Sequence, residues 1–391
     1  MNQDMRWSRR TFLQGVGCTS AASALSKVVR SNDLLPSRTD ETPPAGFAYV
    51  GSTDDVSASG IHVFKICGDY WSRKQSIPSR SPISLVLHPN QQYLYAANEI
   101  DEHERLPCGT VEAYKIADNG DLTLMNRQPL SLSGTRPRHI AISPDGKYLV
   151  VAIHGGGAYN LLPIAHDGSV GRVAQILKEV GAGSYPGYQK SAHPHTVTFD
   201  ITGQHVLATD EGCDRLSVFT FQNGQMMRAL QIHSQPASGL GHIALHPSSN
   251  FLYVSNTVDG SIDCYRWLVN RREVKYERRV ATNLKSTPGE ADRFIISEAG
   301  RSLYVVSGHE SILVWEINPE TGELSLRQQW SVKNSSLQIL TTSPDKRRLL
   351  VADSRQHALL SIPIHAESGE LGVARAVAKI GMARSLIVKY I

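Results

Sequence analysis

Short apolar runs separated by polar turns fill the chain from residue 46 onward, and one unit recurs. A first apolar run leads through a Pro-Asp-Gly-like turn into a second run that mixes aromatic and aliphatic residues. Ile83-Ser84-Leu85-Val86-Leu87-His88-Pro89 is followed by Tyr93-Leu94-Tyr95-Ala96-Ala97-Asn98. Arg138-His139-Ile140-Ala141-Ile142-Ser143-Pro144-Asp145-Gly146 is followed by Tyr148-Leu149-Val150-Val151-Ala152. Further copies lie at 195–210, 241–256, 292–307 and 338–353. Apolar runs this short, joined by such turns, predict pairs of strands.

Equivalent positions in the second strand are Leu94, Leu149, Val206, Leu252, Leu303 and Leu349, at intervals of 46 to 57 residues. Third strands are predicted at 61–66, 110–116, 216–221, 262–267 and 312–317. A partial copy, Phe47-Ala48-Tyr49-Val50-Gly51, lacks its first strand. The run Arg384-Ser385-Leu386-Ile387-Val388-Lys389-Tyr390 supplies one. A repeat of this length with four short strands is a propeller blade. The expected fold is all-β: a seven-bladed β-propeller closed by N- and C-terminal strands sharing one blade, which removes exposed strand edges. A solenoid would need no such exchange.

The N-terminus carries a different signal. Ser8-Arg9-Arg10-Thr11-Phe12-Leu13 matches the twin-arginine export pattern, with Ala22-Ser23-Ala24 as a cleavage site. We therefore divide the chain into an export signal (1–24), a proline-bearing linker (25–45) and the propeller (46–391), expected in the periplasm or outside the cell. No run approaches the roughly 18 apolar residues of a membrane-spanning helix. The 391 residues carry 40 basic and 36 acidic side chains, a formal +4, which gives no reason to expect a nucleic-acid partner. Hydrophobic residues at 41% suffice for a core. Beyond Cys18, the four cysteines, Cys67, Cys108, Cys213 and Cys264, lack zinc spacing.

Blade geometry selects candidate chemistry. The starts of the innermost strands and the ends of the second strands share one face of the disc. The long connections at 99–109, 155–159, 179–194 and 283–291 lie on it, and long loops mark a binding mouth. That face gathers His139, His154, His193, His195, His242, Arg138, Arg293, Glu99, Asp210 and Asp292. Arginine forks hold carboxylate or phosphate oxygens. Histidine can activate water near neutral pH. Such a cluster suits binding and hydrolysis of an anionic ester. His88 and His246, on the opposite rim, read as structural, and His205 reads as packing. His193 and His195 lack a fixed third ligand, so no metal is expected.

With these residues in view, the chain resembles the lactonase family of seven-bladed propellers, which includes propeller-type 6-phosphogluconolactonases and fungal carboxymuconate cyclases. The resemblance covers about residues 46–391. It rests on Tyr49-Val50-Gly51-Ser52, Leu94-Tyr95-Ala96-Ala97-Asn98-Glu99, Gly155-Gly156-Gly157, Gln189 with His193-Pro194-His195, and Asp210-Glu211-Gly212-Cys213-Asp214-Arg215. It implies active-site roles for Arg138, His139, His193, His195, Glu99 and Asp210. Several family positions differ here: Gly241 precedes His242, Ile153 stands before the Gly-rich loop, and Asp292-Arg293-Phe294 lacks a histidine.

The resemblance implies a lactone hydrolase acting on a sugar lactone or related cyclic ester, without a cofactor. His193 or His195 would activate water, with Glu99 or Asp210 orienting it. Arg138, His139, His154, Gln189, His242 and Arg293 would bind substrate. The export signal argues against a cytosolic phosphorylated substrate. Two other readings stand beside this one. The first is an exported non-catalytic propeller binding a sugar acid, glycan or protein partner. The second is a metal-dependent lactonase or redox propeller.

Overall fold

Tyr93–Asn98 is buried along all but its first residue. An apolar run with no polar face needs cover on both sides, and stacking blade against blade supplies it. The computed structural model describes residues 45–53, 59–248, 250–282, 293–307 and 309–390. The export pattern, the linker up to residue 44 and the connection at 283–292 lie outside those residues. The first strand, Ala45–Ser52, begins one residue before the expected propeller boundary.

The described residues form twenty-eight strands, one 3-10 turn (Val269–Arg271) and no α-helix. The strands make seven four-stranded antiparallel sheets. In chain order the innermost strands are Pro82–Leu87, Pro137–Ile142, Pro194–Phe199, Leu240–Leu245, Phe294–Ile296, Leu337–Thr342 and Ala383–Tyr390. Each touches the next, and the last touches the first, so they ring a central axis. The seventh sheet is the predicted closing blade. Ala383–Tyr390 pairs with Ala45–Ser52, with Val50 opposite Leu386.

The core lies between blades. Val50 and Phe64 of the closing blade pack with Leu350, Leu359 and Val377 of the sixth, and Leu386 joins them. A repeated clasp fixes the spacing. Tyr95 Oη donates to the Gly168 carbonyl of the following blade at 3.0 Å, and Tyr253 Oη does the same to Gly322 at 2.9 Å. Gly168 has φ +86°, and a Cβ there would lie 2.4 Å from the Tyr93 ring. Glycine alone fits both constraints. The far-rim histidines also join blades. His246 Nε2 donates to the Gly300 carbonyl at 2.8 Å, and His88 Nε2 to that of Gly146 at 3.1 Å. His205 is buried against Trp267 and bonded to Asp200.

Candidate active site

On six of the seven innermost strands, pairing with the second strand slips at the mouth end. Ile83, Arg138, His195 with Thr196, Gly241 with His242, Gln338 and Arg384 fall at these slips. A bulge bends its strand and re-aims a side chain. Repeated around the ring, it brings consecutive residues such as Arg138 and His139 to one mouth, where plain alternation would separate them.

One wall holds three imidazoles. The His195 and His242 rings lie 5.2 Å apart and those of His139 and His242 6.2 Å apart. Burial, reinforced by Arg293, pushes His139 down to about 4. Burial also holds His195 and His242 well below the usual imidazole range, helped by His242 beside the first and Arg293 beside the second. All three are neutral at pH 7. His195 is 2% exposed, and its Nε2 has no hydrogen-bond partner.

A second wall is cationic. Arg138 Nη1 donates to Glu99 Oε1 at 2.9 Å, and Arg384 Nη2 stands 3.6 Å from Glu99 Oε2. Burial, with Arg384 and Arg138 nearby, pushes the Arg293 guanidinium down to about 9.

The third wall carries a stacked pair of imidazoles. The His154 and His193 rings stack at 4.5 Å and 13°. His154 Nε2 donates to Glu211 Oε2 at 3.3 Å, and Thr257 Oγ1 donates to Glu211 Oε1 at 2.5 Å. Burial raises the Glu211 carboxyl, but bonding from His154 and Thr257 outweighs it and keeps Glu211 ionised. Burial, with Glu211 beside it, raises the Tyr188 hydroxyl. His193 Nδ1 faces the His154 carbonyl at 3.1 Å and must donate to it. The tautomer is thereby set, and Nε2 carries the lone pair.

The turn Asp210-Glu211-Gly212-Cys213-Asp214-Arg215 ties these parts together. Asp210 Oδ1 accepts from the backbone N–H of His193 (2.8 Å) and of Gly212 (3.0 Å). Arg215 Nη2 lies 3.3 Å from Asp210 Oδ2 and 3.2 Å from Glu179. Asp214, in the left-handed region, accepts from Gly239 N–H and from Gln189 Nε2. One turn thus holds both the 179–194 loop and the 234–239 loop.

The expected site residues fall into two groups. Arg138, His139, His154, His193, His195, His242 and Arg293 come together at the mouth. Three expected roles differ. Glu99 pairs with Arg138 and Arg384 and contacts neither His193 nor His195. Asp210 orients no ring, because both its oxygens hold backbone or Arg215. Gln189 donates to the Glu211 carbonyl and Asp214 and accepts from Tyr185 N–H, so its amide braces the loop. Glu211, Tyr188 and Arg384 belong to the mouth without an expected role. Their signal was adjacency: Glu211 follows Asp210, Tyr188 precedes Gln189, and Arg384 opens the closing strand.

Among the described residues no group of three or more His, Cys, Asp or Glu could hold a metal ion. Cys67, Cys108, Cys213 and Cys264 are unpaired. No described helix is long and apolar enough to cross a membrane.

The profile of the family described as "Lactonase, 7-bladed beta-propeller" matches residues 47–388. A 6-phosphogluconolactonase of Formosa agariphila is 26% identical over 340 residues, covering 83% of this chain and 94% of the relative. That of Bacillus subtilis is 24% identical, with coverages of 83% and 92%. The solved periplasmic gluconolactonase of Pseudomonas aeruginosa superposes with a TM-score of 0.76 at 23% identity, covering 88% of this chain and 99% of that one. At that identity the superposition establishes the shared fold.

Proposed function

This chain belongs to the lactonase family of seven-bladed β-propellers, and from that membership we propose that it hydrolyses a sugar lactone or a related cyclic ester. The observation that carries the reading is the His193 ring. Its Nδ1–H is committed to the His154 carbonyl, so Nε2 carries the lone pair and can act as a base.

Nε2 takes a proton from water while the water oxygen bonds to the lactone carbonyl carbon. The carbonyl electron pair moves onto oxygen, where the Arg138 guanidinium stabilises the charge. Collapse breaks the ring C–O bond. The leaving alkoxide takes the proton back from His193, and a hydroxy acid results. Ionised Glu211, behind the stacked His154, favours the transient imidazolium. The neutral, buried His195 suits hydrogen bonding better than proton abstraction.

The twin-arginine pattern supports export, and a lactone met outside the cytoplasm fits that route. The relatives named for 6-phosphogluconolactone hydrolysis support the reaction class. The test is acid release at constant pH from gluconolactone and 6-phosphogluconolactone. His193→Ala should lower kcat by about a hundredfold or more, with an unchanged melting profile. Folded wild-type protein that leaves both lactones at the spontaneous rate would overturn the reading and favour a non-catalytic binding propeller.

A further inference from the structure

The residue that follows the second strand reaches the mouth in blade after blade. It is Glu99 in the first blade, His154 in the second, Glu211 in the third and Thr257 in the fourth. The last three form a hydrogen-bonded row across blades. His154 Nε2 donates to one oxygen of Glu211, and Thr257 Oγ1 donates to the other. A carboxylate only accepts, so the proton of the first contact sits on His154.

Thr257 is fully buried, as is Glu211. The threonine hydroxyl carries one hydrogen and faces two acceptors, Glu211 Oε1 at 2.5 Å and the Gly239 carbonyl at 3.0 Å. That carbonyl already accepts the backbone N–H of Thr257 at 2.8 Å. The hydroxyl hydrogen therefore goes to the carboxylate, at a distance typical of a bond to an ionised oxygen. A Cβ on Gly239 would lie 2.7 Å from Thr257 Oγ1, so the missing side chain is what admits the hydroxyl. Gly239 N–H in turn donates to Asp214 Oδ1 at 2.6 Å. Asp214 lies three residues beyond Glu211. The circuit through Glu211, Thr257, Gly239 and Asp214 thus closes on the turn from which it starts.

The titratable groups that face Glu211 come from elsewhere: His154 and Arg138 from the second blade, and Tyr188 from the connection before the third. A carboxylate withdrawn from water keeps its charge only where donors meet it. We propose that Thr257 is a positioning residue for the base: its hydroxyl holds Glu211 as a carboxylate against His154, whose stacked ring and carbonyl hold His193 in the tautomer that leaves Nε2 to take the proton. Thr257 acts through Glu211 and not on the lactone itself. Its effect on rate rests on the lactonase reading, whereas the charge of Glu211 does not.

Thr257→Val keeps the shape and removes the hydroxyl, while Thr257→Ser keeps the hydroxyl and removes the methyl. In lactone hydrolysis Thr257→Val should lower kcat by about tenfold with KM within about twofold of wild type. Thr257→Ala, a second variant without the hydroxyl, should do the same. Thr257→Ser should keep kcat within about threefold. A residue that only packs would give the opposite order. Glu211→Gln should itself lower kcat, and Thr257→Val should add little to it, as two members of one path do.

Titration of the Glu211 carboxyl reads the link without substrate. It is followed by NMR of protein carrying isotope-labelled glutamate, with the signal assigned by its loss in Glu211→Gln. The carboxyl should titrate at higher pH in Thr257→Val than in wild type, because its charged form has lost a donor. In Thr257→Ser it should titrate as in wild type. Wild-type kcat in Thr257→Val, a serine variant as slow as the valine one, or full additivity with Glu211→Gln overturns the proposal. So does equal titration in wild type and Thr257→Val. If wild type hydrolyses no lactone, a raised titration in Thr257→Val sustains the hold on Glu211 while the lactonase reading fails.

Discussion

His139, His195 and His242 stay neutral because the mouth withdraws them from water and sets arginines beside them. In the unfolded chain each titrates near about 6.5. Their native values lie lower, so below about 6.5 the unfolded chain binds more protons, for His139 down to about 4. Their stabilising contribution is complete above that window and is lost as the pH falls through it. Each such group makes stability depend on pH by up to about 1.4 kcal/mol per unit. Denaturant unfolding at pH 7 and pH 5 should show a loss that shrinks in His139→Gln. Equal losses in wild type and variant would show that His139 is not held neutral. At this scale the sequence was half legible. The histidines and Arg138 could be placed on one rim from strand register alone. The roles of Glu99, Asp210 and Glu211 could not, because they depend on which carboxylate oxygen meets which donor. At a strand end, neighbouring residues such as Asp210 and Glu211 turn to opposite duties: one holds backbone, the other an imidazole.

At the scale of the element, the turn from Asp210 to Arg215 is the part most exposed to small changes. A Cβ on Gly212 would lie 1.9 Å from the Ser191 carbonyl oxygen and 2.8 Å from His193 N. Gly212→Ala must therefore push the His193 segment off the Asp210 carboxylate. A displacement near 1 Å can cost about a hundredfold in rate. We expect kcat to fall by about that factor while the melting temperature moves by only a few degrees, measured by hydrolysis and by calorimetry. A variant of normal kcat would mean that the segment carrying His193 can shift without consequence. Strand pairs and turns were legible from apolar runs and Pro-Asp-Gly signals. The bulges were not, since an extra residue leaves no mark on a two-residue alternation already broken by Arg138-His139 and Gly241-His242.

The whole ring was the most legible level, because a repeat read many times over averages out local ambiguity. Leu94, Leu149, Val206, Leu252, Leu303 and Leu349 all fall in the buried core between blades. The least ordinary prediction was the exchange of terminal strands, which the pairing of Ala45–Ser52 with Ala383–Tyr390 reproduces. Its energetic weight can be measured. Leu386 is 8% exposed and packs among residues of the sixth and closing blades. Leu386→Ala should cost about 2–5 kcal/mol, read as a lower urea midpoint. An unchanged midpoint would mean that the closing strand contributes little to the ring.

That strand also carries Arg384, which ties the mouth to the order in which the chain is made. Ala45–Ser52 leaves the ribosome before every other strand of the ring, yet its inner partner leaves after all of them. Until then the first strand has one unpaired edge and the mouth lacks an arginine. The six intervening blades can form from neighbouring segments, but closure needs two strands separated by nearly the whole propeller, a slow step for any chain. The site is therefore completed by the same event that seals the ring, so a nascent or clipped propeller has neither its full stability nor its full binding mouth.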